Sequence, residues 1–171
     1  MNKKLNIGVI SCSVMAQLHM KAVIDHPNAE LYMICDINEA LLNETAAKYN
    51  ISRKTTDYRQ MLADPAVDAV IIVTPDQTHR EISVAALEAG KHVLCEKPMA
   101  LTLDDCKAMI DAAAKAKTKM MVGQICRYTP GFVAAKNLIE RGEIGELFFV
   151  ETEYAHDYAH IAVSYTHLRA H

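Results

Sequence analysis

Short β-branched runs alternate along this chain with longer segments of helical periodicity, and no other feature constrains its fold as strongly. The strongest run, Asp68 to Val73, reads DAVIIV and is apolar on both faces, as expected of a central parallel strand covered by helices. Strands that alternate with helical patterns are typical of βαβ units. The sequence therefore predicts an α/β fold with a doubly wound parallel sheet.

The alternation runs through most of the 171 residues. We expect strands over Leu5–Ile10, Leu31–Cys35, Asp68–Val73, His92–Cys95, Met120–Val122 and Leu147–Tyr154, the last of them half-exposed. We expect helices over Val14–Asp25, Glu39–Tyr49, Tyr58–Leu62, His79–Ala89, Leu103–Lys115 and Phe132–Arg141. The fourth of these helices should end at Gly90, because glycine readily takes the left-handed conformation that closes a helix.

Composition excludes several classes of protein. Acidic side chains outnumber Lys and Arg by 21 to 18, and the cations form no basic stripe, so we expect no nucleic-acid partner. No apolar run approaches the roughly 20 residues that span a membrane, and the start is too polar for a signal peptide. The five cysteines are odd in number and lack C-x-x-C spacing, which indicates reduced thiols in a cytoplasmic protein. We expect no metal site, because His156 and His160 are an isolated pair.

The turn after the first predicted strand is a candidate phosphate-binding site. It reads ISCSVMA, where a dinucleotide-binding domain carries G-x-G-x-x-G/A between a strand and a helix. Ser11 and Ser13 replace the first two glycines, so we expect backbone strain at both. On the functional interpretation Ser11, Ser13, Val14 and Met15 contact a pyrophosphate. The alternative is a polar turn in which Ser13 is the N-cap of the helix.

Asp36 ends the second predicted strand, about 20 residues after this turn, at the spacing of the dinucleotide-binding fingerprint. There a carboxylate accepts hydrogen bonds from the adenosine ribose hydroxyls and repels a 2′-phosphate, which favours NAD over NADP. The alternative is that Asp36 caps the following helix, a position that suits aspartate equally well. The sequence is consistent with both uses.

A more specific signature is KHVLCEKP, from Lys91 to Pro98. Other segments agree with it in order and spacing: Thr74-Pro75 with His79, AALEAG from Ala85, RYTP from Arg127 and GEIG from Gly142. Together they resemble the Gfo/Idh/MocA family of glucose–fructose oxidoreductase, inositol dehydrogenase and their relatives. The resemblance covers about Leu5 to Tyr158.

The resemblance implies a Rossmann domain that binds NAD, followed by an α/β domain that carries a sugar or polyol substrate. It implies hydride transfer between the nicotinamide and a carbon that bears a hydroxyl. By the same resemblance Lys97 is catalytic, contacts the cofactor side of the cleft and donates a hydrogen bond to the reacting oxygen. Glu96 would lie beside the nicotinamide ribose, Thr74 and Pro75 under the cofactor, and His79 in contact with it.

Several of these assignments have a structural alternative. Lys97 could be a solvated surface lysine, and His79 a structural residue at the start of its helix. Arg127 and Tyr128 match residues near the family's substrate cleft, or they lie in a surface loop. His19 also matches a family position, which we interpret as a packing residue.

The resemblance sets the expected domain organisation as well. We expect an NAD-binding Rossmann domain over residues 1–123 and a linking helix with the first strand of a substrate domain over 124–162. Residues 163–171 follow no pattern and are either vector-derived or a frayed terminus. The family's catalytic histidine and its acidic companion belong to the second domain, so we expect this chain to be inactive alone. The rival functions are a nucleotide-binding or sensing module without chemistry, and an inert fragment.

Family members associate largely through the sheet of the second domain. The resemblance therefore also implies that the full-length protein is a homo-oligomer.

Overall fold

The computed structural model describes residues 4–153 and 155, and its central feature is one sheet of six parallel strands. The strands are β1 (Leu5–Ile10), β2 (Ala29–Cys35), β3 (Lys54–Thr55), β4 (Ala69–Ile72), β5 (His92–Cys95) and β6 (Met120–Val122). They lie in the order β3-β2-β1-β4-β5-β6, and each neighbouring pair is parallel. The chain winds outward from β1 to β3, returns to β4 and winds outward again to β6. This is a doubly wound Rossmann sheet, and the predicted fold class is confirmed.

Helices pack on the two faces of this sheet in separate layers. The helices are α1 (Val14–Asp25), α2 (Glu39–Tyr49), α3 (Tyr58–Ala63), α4 (His79–Glu88), α5 (Leu103–Lys115) and α6 (Pro130–Glu140). One hydrophobic core takes its helical residues from α1 and α2, and the other takes them from α3, α4 and α5. The sheet therefore separates two cores.

β4 shows why the run DAVIIV forms a central strand. Val70 and Ile72 pack in one core, whereas Ile71 and Val73 pack in the other, because successive side chains of a strand point to opposite faces. All four side chains are buried. Each buried Val or Ile stabilises the fold by about 1.5–3 kcal/mol, so a strand with two apolar faces is favoured between two helical layers.

Polar side chains fix where the helices begin. Ser13, Asn38, Asp57 and Thr102 are the N-caps of α1, α2, α3 and α5, and each side chain accepts a hydrogen bond from an N–H of the first turn. Such a cap stabilises a helix by about 1 kcal/mol. Gly90 follows the end of α4 and has a φ of 74°, so the predicted end of this helix at Gly90 is confirmed.

Three elements differ from the sequence prediction by two residues or more, whereas β4, α3, α4 and the end of α6 differ by one residue at one or both ends. The sequence does not predict β3, because its two residues form no apolar run and are held by pairing with Ile34 and Cys35 of β2. β2 begins at Ala29 rather than Leu31. α6 begins at Pro130 rather than Phe132, since proline fits the first turn of a helix, where no N–H is needed.

The prediction of a strand over Leu147–Tyr154 is wrong for the residues of this range that the structure describes. Residues 147–153 form no strand. A strand needs a neighbour for its backbone hydrogen bonds, and none of the six strands of the described sheet pairs with this segment. Tyr154, the pair His156 and His160, and the tail at 163–171 lie outside the described residues.

The chain divides into two compact units, Met1–Cys126 and Arg127–His171. The first contains the sheet and the helices α1 to α5. The described part of the second contains α6 and a turn in which Gly142 and Gly145 have positive φ values of 71° and 72°. Within 4–153 and 155, no helix has both the length and the apolar character needed to cross a membrane.

The contact between Gly8 of β1 and Met61 of α3 provides a test of this packing. A Cβ at residue 8 would overlap the Met61 sulfur, and Met61 is fully buried. We expect Gly8→Ala to lower the free energy of unfolding in urea by about 1–3 kcal/mol, because it overpacks the core.

A double-mutant cycle isolates this contact. Met61→Val makes room for the added Cβ, so the double variant should be more stable than the sum of the two single effects predicts. Strict additivity would contradict the close approach of α3 to β1.

Candidate functional site

The carboxyl ends of β1, β2 and β4 meet at a pocket of about 250 Å³. It lies beside the reversal of strand order between β1 and β4, where the loops after neighbouring strands leave in opposite directions and open a crevice. Its lining includes Ser11, Asp36, Tyr58, Thr74, Pro75 and Ile82. Larger grooves at the amino end of β2 and between α4 and α5, of about 340 and 690 Å³, contain none of the residues selected from the sequence.

Ser11 follows β1 in a strained backbone conformation. Its φ is 107°, in the region that glycine prefers, and such a conformation costs about 1–3 kcal/mol in another residue. The amide of Ser11 donates to the Cys35 carbonyl at 2.7 Å. Its Oγ accepts from the amide of Ser13 at 3.1 Å. These two hydrogen bonds hold the turn in the shape that the motif's glycine would take.

Ser13 is not strained, which corrects the expectation drawn from the glycine pattern. Its φ and ψ are −57° and 166°, a conformation open to any residue. As N-cap of α1 it accepts from the Ala16 amide through Oγ, at 3.4 Å, and from the Gln17 amide through its carbonyl, at 2.9 Å. The N-cap interpretation is confirmed. The two first-turn amides that Ser13 does not take are those of Val14 and Met15.

Asp36 is bonded to the turn and does not cap α2. Its Oδ2 accepts from the Cys12 amide at 2.7 Å, and its Oδ1 accepts from the Asn38 amide at 2.8 Å. The N-cap of α2 is Asn38, whose side chain accepts from the Leu41 amide at 3.1 Å, so the capping alternative for Asp36 is wrong. The carboxylate is half-buried. Each of its oxygens keeps a lone pair that can accept a ribose hydroxyl.

The cysteines beside this site are inert. Burial is the main reason that the pKa of Cys12 rises to about 11 and that of Cys35 to about 12, and the charge of Asp36 raises both further. Burial likewise raises the pKa of Cys95 to about 11. The thiolate is the nucleophilic form of cysteine, so these thiols act as small buried side chains at neutral pH.

Glu96 and Lys97 follow β5 at the same edge of the sheet. The Glu96 amide donates to the Ile72 carbonyl at 3.0 Å, which continues the pairing with β4. Its carboxylate accepts from the Lys97 amide at 2.9 Å and lies 2.8 Å from His19 Nε2. Glu96 is 9% exposed, whereas the Lys97 side chain is exposed, and the Lys97–Pro98 peptide bond is cis. A buried carboxylate therefore holds the backbone of an exposed lysine.

Thr74 and Pro75 form the loop after β4. The Thr78 hydroxyl lies 2.7 Å from both the Thr74 hydroxyl and the Pro75 carbonyl, and its amide donates to that carbonyl at 2.9 Å. The loop thus closes into a 3₁₀ turn over Asp76–Thr78. It forms one wall of the pocket, and its place under a cofactor stays a prediction.

His79 does not reach the pocket, and the predicted direct contact with a cofactor is contradicted. Its side chain is 1% exposed. Nδ1 lies 2.8 Å from the Pro98 carbonyl oxygen and Nε2 lies 2.9 Å from that of Thr74. The structural alternative is therefore the correct one, because both ring nitrogens face backbone.

Arg127 and Tyr128 are exposed in a 3₁₀ turn over Ile125–Tyr128. The boundary between the two compact units falls within this turn. Their place near a substrate cleft stays a prediction.

From the sequence, His19 is interpreted as a packing residue, and its contact with Glu96 is missed. His19 lies on α1 next to the buried face formed by Ala16, Met20 and Val23. A titratable side chain near an apolar helix face needs a polar partner, and that was the available signal. The partner, Glu96, is 77 residues away, so helix periodicity could not reveal it.

The two serines of the turn predict opposite responses to glycine. Ser11→Gly should raise the free energy of unfolding by about 1 kcal/mol, because it removes the strain at φ 107°. Ser13→Gly is the matched control and should lower it by a few tenths of a kcal/mol, because it removes only a cap. Urea denaturation measures both. A less stable Ser11→Gly variant would show that the hydrogen bond from the Ser13 amide outweighs the strain.

Comparisons with known proteins agree with this geometry. The model of the Gfo/Idh/MocA family, described as an oxidoreductase family with an NAD-binding Rossmann fold, matches residues 5–124. The chain is 34% identical over 165 residues to levoglucosan dehydrogenase of Pseudarthrobacter phenanthrenivorans, which covers 92% of this chain and 42% of that protein. It is 34% identical over 149 residues to inositol 2-dehydrogenase of Salmonella typhimurium, with 85% and 44% covered.

A solved structure gives the same result. Levoglucosan dehydrogenase in complex with NADH and levoglucosan superposes with a TM-score of 0.80 at 36% identity, over 84% of this chain and 41% of that one. The chain thus spans less than half the length of these relatives. The family match includes the turn at Ser11, Asp36 and the Glu96–Pro98 segment. The chain belongs to the Gfo/Idh/MocA oxidoreductase family and carries its NAD-binding Rossmann fold.

Proposed function

We propose that this chain is the cofactor-binding part of an NAD-dependent dehydrogenase that acts on a sugar, a cyclitol or a related polyol. The observation that carries the proposal is the placement of Asp36 and Lys97 at one edge of the sheet, after β2 and β5, on either side of the crevice at β1 and β4. The relatives named for levoglucosan and inositol support a polyhydroxy substrate.

The residues at this edge fit a dinucleotide. The amides of Ser11, Cys12 and Ser13 already have acceptors within the protein. A pyrophosphate would therefore bind the amides of Val14 and Met15, at the positive end of the α1 dipole, together with the Ser11 hydroxyl.

Asp36 determines which dinucleotide fits. Its half-buried carboxylate accepts the hydroxyls of the adenosine ribose and repels a 2′-phosphate. The next residues, Ile37 and Asn38, supply no cation for that phosphate. NAD is therefore preferred to NADP. The loop at Thr74 and Pro75 lies under the cofactor in this arrangement.

Lys97 is the proposed catalytic residue. When bound, the nicotinamide supplies the acceptor or donor of the hydride. The Lys97 ammonium donates a hydrogen bond to the oxygen of the reacting carbon and stabilises the negative charge that develops there. Glu96 would lie beside the nicotinamide ribose, and by the family resemblance Arg127 and Tyr128 are candidates for contact with the substrate.

The proposed organisation is an NAD-binding domain over residues 1–123 and, over 124–162, the start of a substrate domain. The end of the family match at residue 124 and the division after Cys126 support the first boundary. The full-length protein is proposed to be a cytoplasmic homo-oligomer. Five free cysteines support a reducing compartment.

A nucleotide-binding or sensing module without chemistry is the second candidate. Such a module needs the pocket and Asp36, and these two features favour it as much as they favour an enzyme. It does not need an exposed lysine whose amide is held by a buried carboxylate, which is the arrangement at Lys97 and Glu96. The Glu96–Lys97 pair therefore favours the dehydrogenase over both the sensor and an inert fragment.

Cofactor preference tests the role of Asp36. Calorimetry should show NAD binding at least about tenfold tighter than NADP, which corresponds to about 1.4 kcal/mol of discrimination. Asp36→Asn keeps an oxygen acceptor but removes the charge, so it should reduce the difference in affinity between NAD and NADP. Asp111→Asn, at an exposed position of α5, is the control and should leave this difference unchanged. Tighter binding of NADP by the parent chain would refute the assignment.

Completing the enzyme tests the role of Lys97. The chain alone should not oxidise polyols, since positioning of the substrate supplies about 7–11 kcal/mol of a typical barrier and the chain spans less than half the length of the dehydrogenases it matches. Fusion after Tyr154 to the second domain of a close relative should create activity. In the fusion, Lys97→Ala should lower turnover about a hundredfold with little change in NAD affinity.

Lys107→Ala, at an exposed position of α5, is the control for this experiment. Polyol oxidation by the 171-residue chain would show that these residues suffice for the activity, contrary to this prediction. An active fusion that is indifferent to Lys97→Ala would refute the role of the lysine.

A further inference from the structure

The direction of the Lys97 side chain depends on the backbone around it. The side chain is exposed, and lysine is a point charge on a flexible four-carbon stem. The backbone of residues 96–98, where the chain leaves β5, fixes the point from which this stem starts and the direction of its first bond. Two histidines from different helices contact this segment, one on each side of Lys97.

On the amino side, the contact runs through Glu96. Its Oε2 accepts from the Lys97 amide at 2.9 Å, and its Oε1 lies 2.8 Å from Nε2 of His19 on α1. The Glu96 side chain is 12% exposed and that of His19 is 22% exposed. A carboxylate with one oxygen bonded to a histidine cannot rotate without breaking that bond, so His19 fixes the oxygen that holds the Lys97 amide.

On the carboxyl side, the contact runs through Pro98. His79 Nδ1 lies 2.8 Å from the Pro98 carbonyl oxygen, while Nε2 lies 2.9 Å from the Thr74 carbonyl oxygen. Carbonyl oxygens only accept hydrogen bonds and a neutral imidazole carries one N–H, so the ring donates to one of these two carbonyls at a time. The ring, 1% exposed, thus lies between the segment after β5 and the loop after β4 and contacts both.

We propose that His19 and His79 are positioning residues that fix the backbone on both sides of Lys97 and so aim its side chain into the cleft. We call these two histidine contacts, to Glu96 and to Pro98, the brace. Its importance for function rests on the catalytic role proposed above for Lys97. Neither histidine needs to touch cofactor or substrate. His19 acts through Glu96, and His79 acts through the carbonyls of Thr74 and Pro98.

The geometry of the two rings allows a matched set of substitutions. The amide nitrogen of glutamine occupies a position like that of a histidine Nε2, and the amide nitrogen of asparagine a position like that of Nδ1. His19→Gln therefore keeps the bond to Glu96, whereas His19→Ala loses it. His79→Asn keeps the link to Pro98 alone, whereas His79→Gln keeps the link to Thr74 alone.

Hydrogen exchange of the Lys97 amide, measured by NMR on the cofactor-free chain, tests the brace. A hydrogen-bonded amide exchanges only when its local structure opens. We expect exchange at Lys97 to be about tenfold faster in His19→Ala and in His79→Gln, the factor expected from loss of one hydrogen bond. His19→Gln and His79→Asn should remain near the parent rate.

Leu87→Val, at a buried position of α4, is the control for general destabilisation. It should leave exchange at Lys97 unchanged relative to the amide of Val70 in β4. Parent-like exchange at Lys97 in both His19→Ala and His79→Gln would overturn the proposal, as would equal acceleration at Val70 or in the control variant. No cofactor or substrate is present in this experiment, so its outcome is independent of whether the chain binds NAD.

Discussion

β1 pairs with β2 on one side and with β4 on the other, and this position decides where the candidate functional groups lie. Because all the strands are parallel, their carboxyl ends share one edge of the sheet. Because the strand order reverses at β1, the connections after β1 and β4 pass to opposite faces and leave a crevice between them. The serine turn, Asp36, the Thr74 loop and the Glu96–Pro98 segment each follow one of these strands. Residues far apart in sequence are thus brought to one edge by the backbone pairing of the sheet.

Internal hydrogen bonds have already arranged this edge. The Asp36 carboxylate accepts a hydrogen bond from the Cys12 amide, and the Ser11 hydroxyl accepts one from the Ser13 amide. The Glu96 carboxylate accepts one from the Lys97 amide. Each acceptor satisfies a donor that would otherwise lack a partner in a crevice, and an unsatisfied donor costs about 1–3 kcal/mol. Arranged in this way, the site needs little further ordering when a ligand binds, which lowers the entropic cost of association. The strain at Ser11 is the part of this arrangement that opposes folding.

The sequence predicts what depends on local pattern and misses what depends on distant contacts. β-branched runs such as DAVIIV and polar caps such as Ser13 place most strands and helices, because strand alternation and helix capping act within a few residues. β3 has no such signal and exists only through its pairing with β2. Strain at Ser11 follows from the glycine pattern, whereas Ser13 escapes it because a helix N-cap takes an ordinary conformation. The contacts of His19 and His79 join segments that no local pattern relates. The family resemblance therefore suggested that His79 contacts the cofactor, but it could not show that the ring is buried.

We propose that the cofactor binds at the carboxyl edge of the sheet, across the point where the strand order reverses. Amide chemical-shift mapping of the chain during an NADH titration tests this placement. We expect the largest shift changes at Val14, Met15, Asp36 and Thr74. Changes centred instead on Tyr32 and Arg53, at the groove by the amino end of β2, or no changes at saturating NADH, would contradict it.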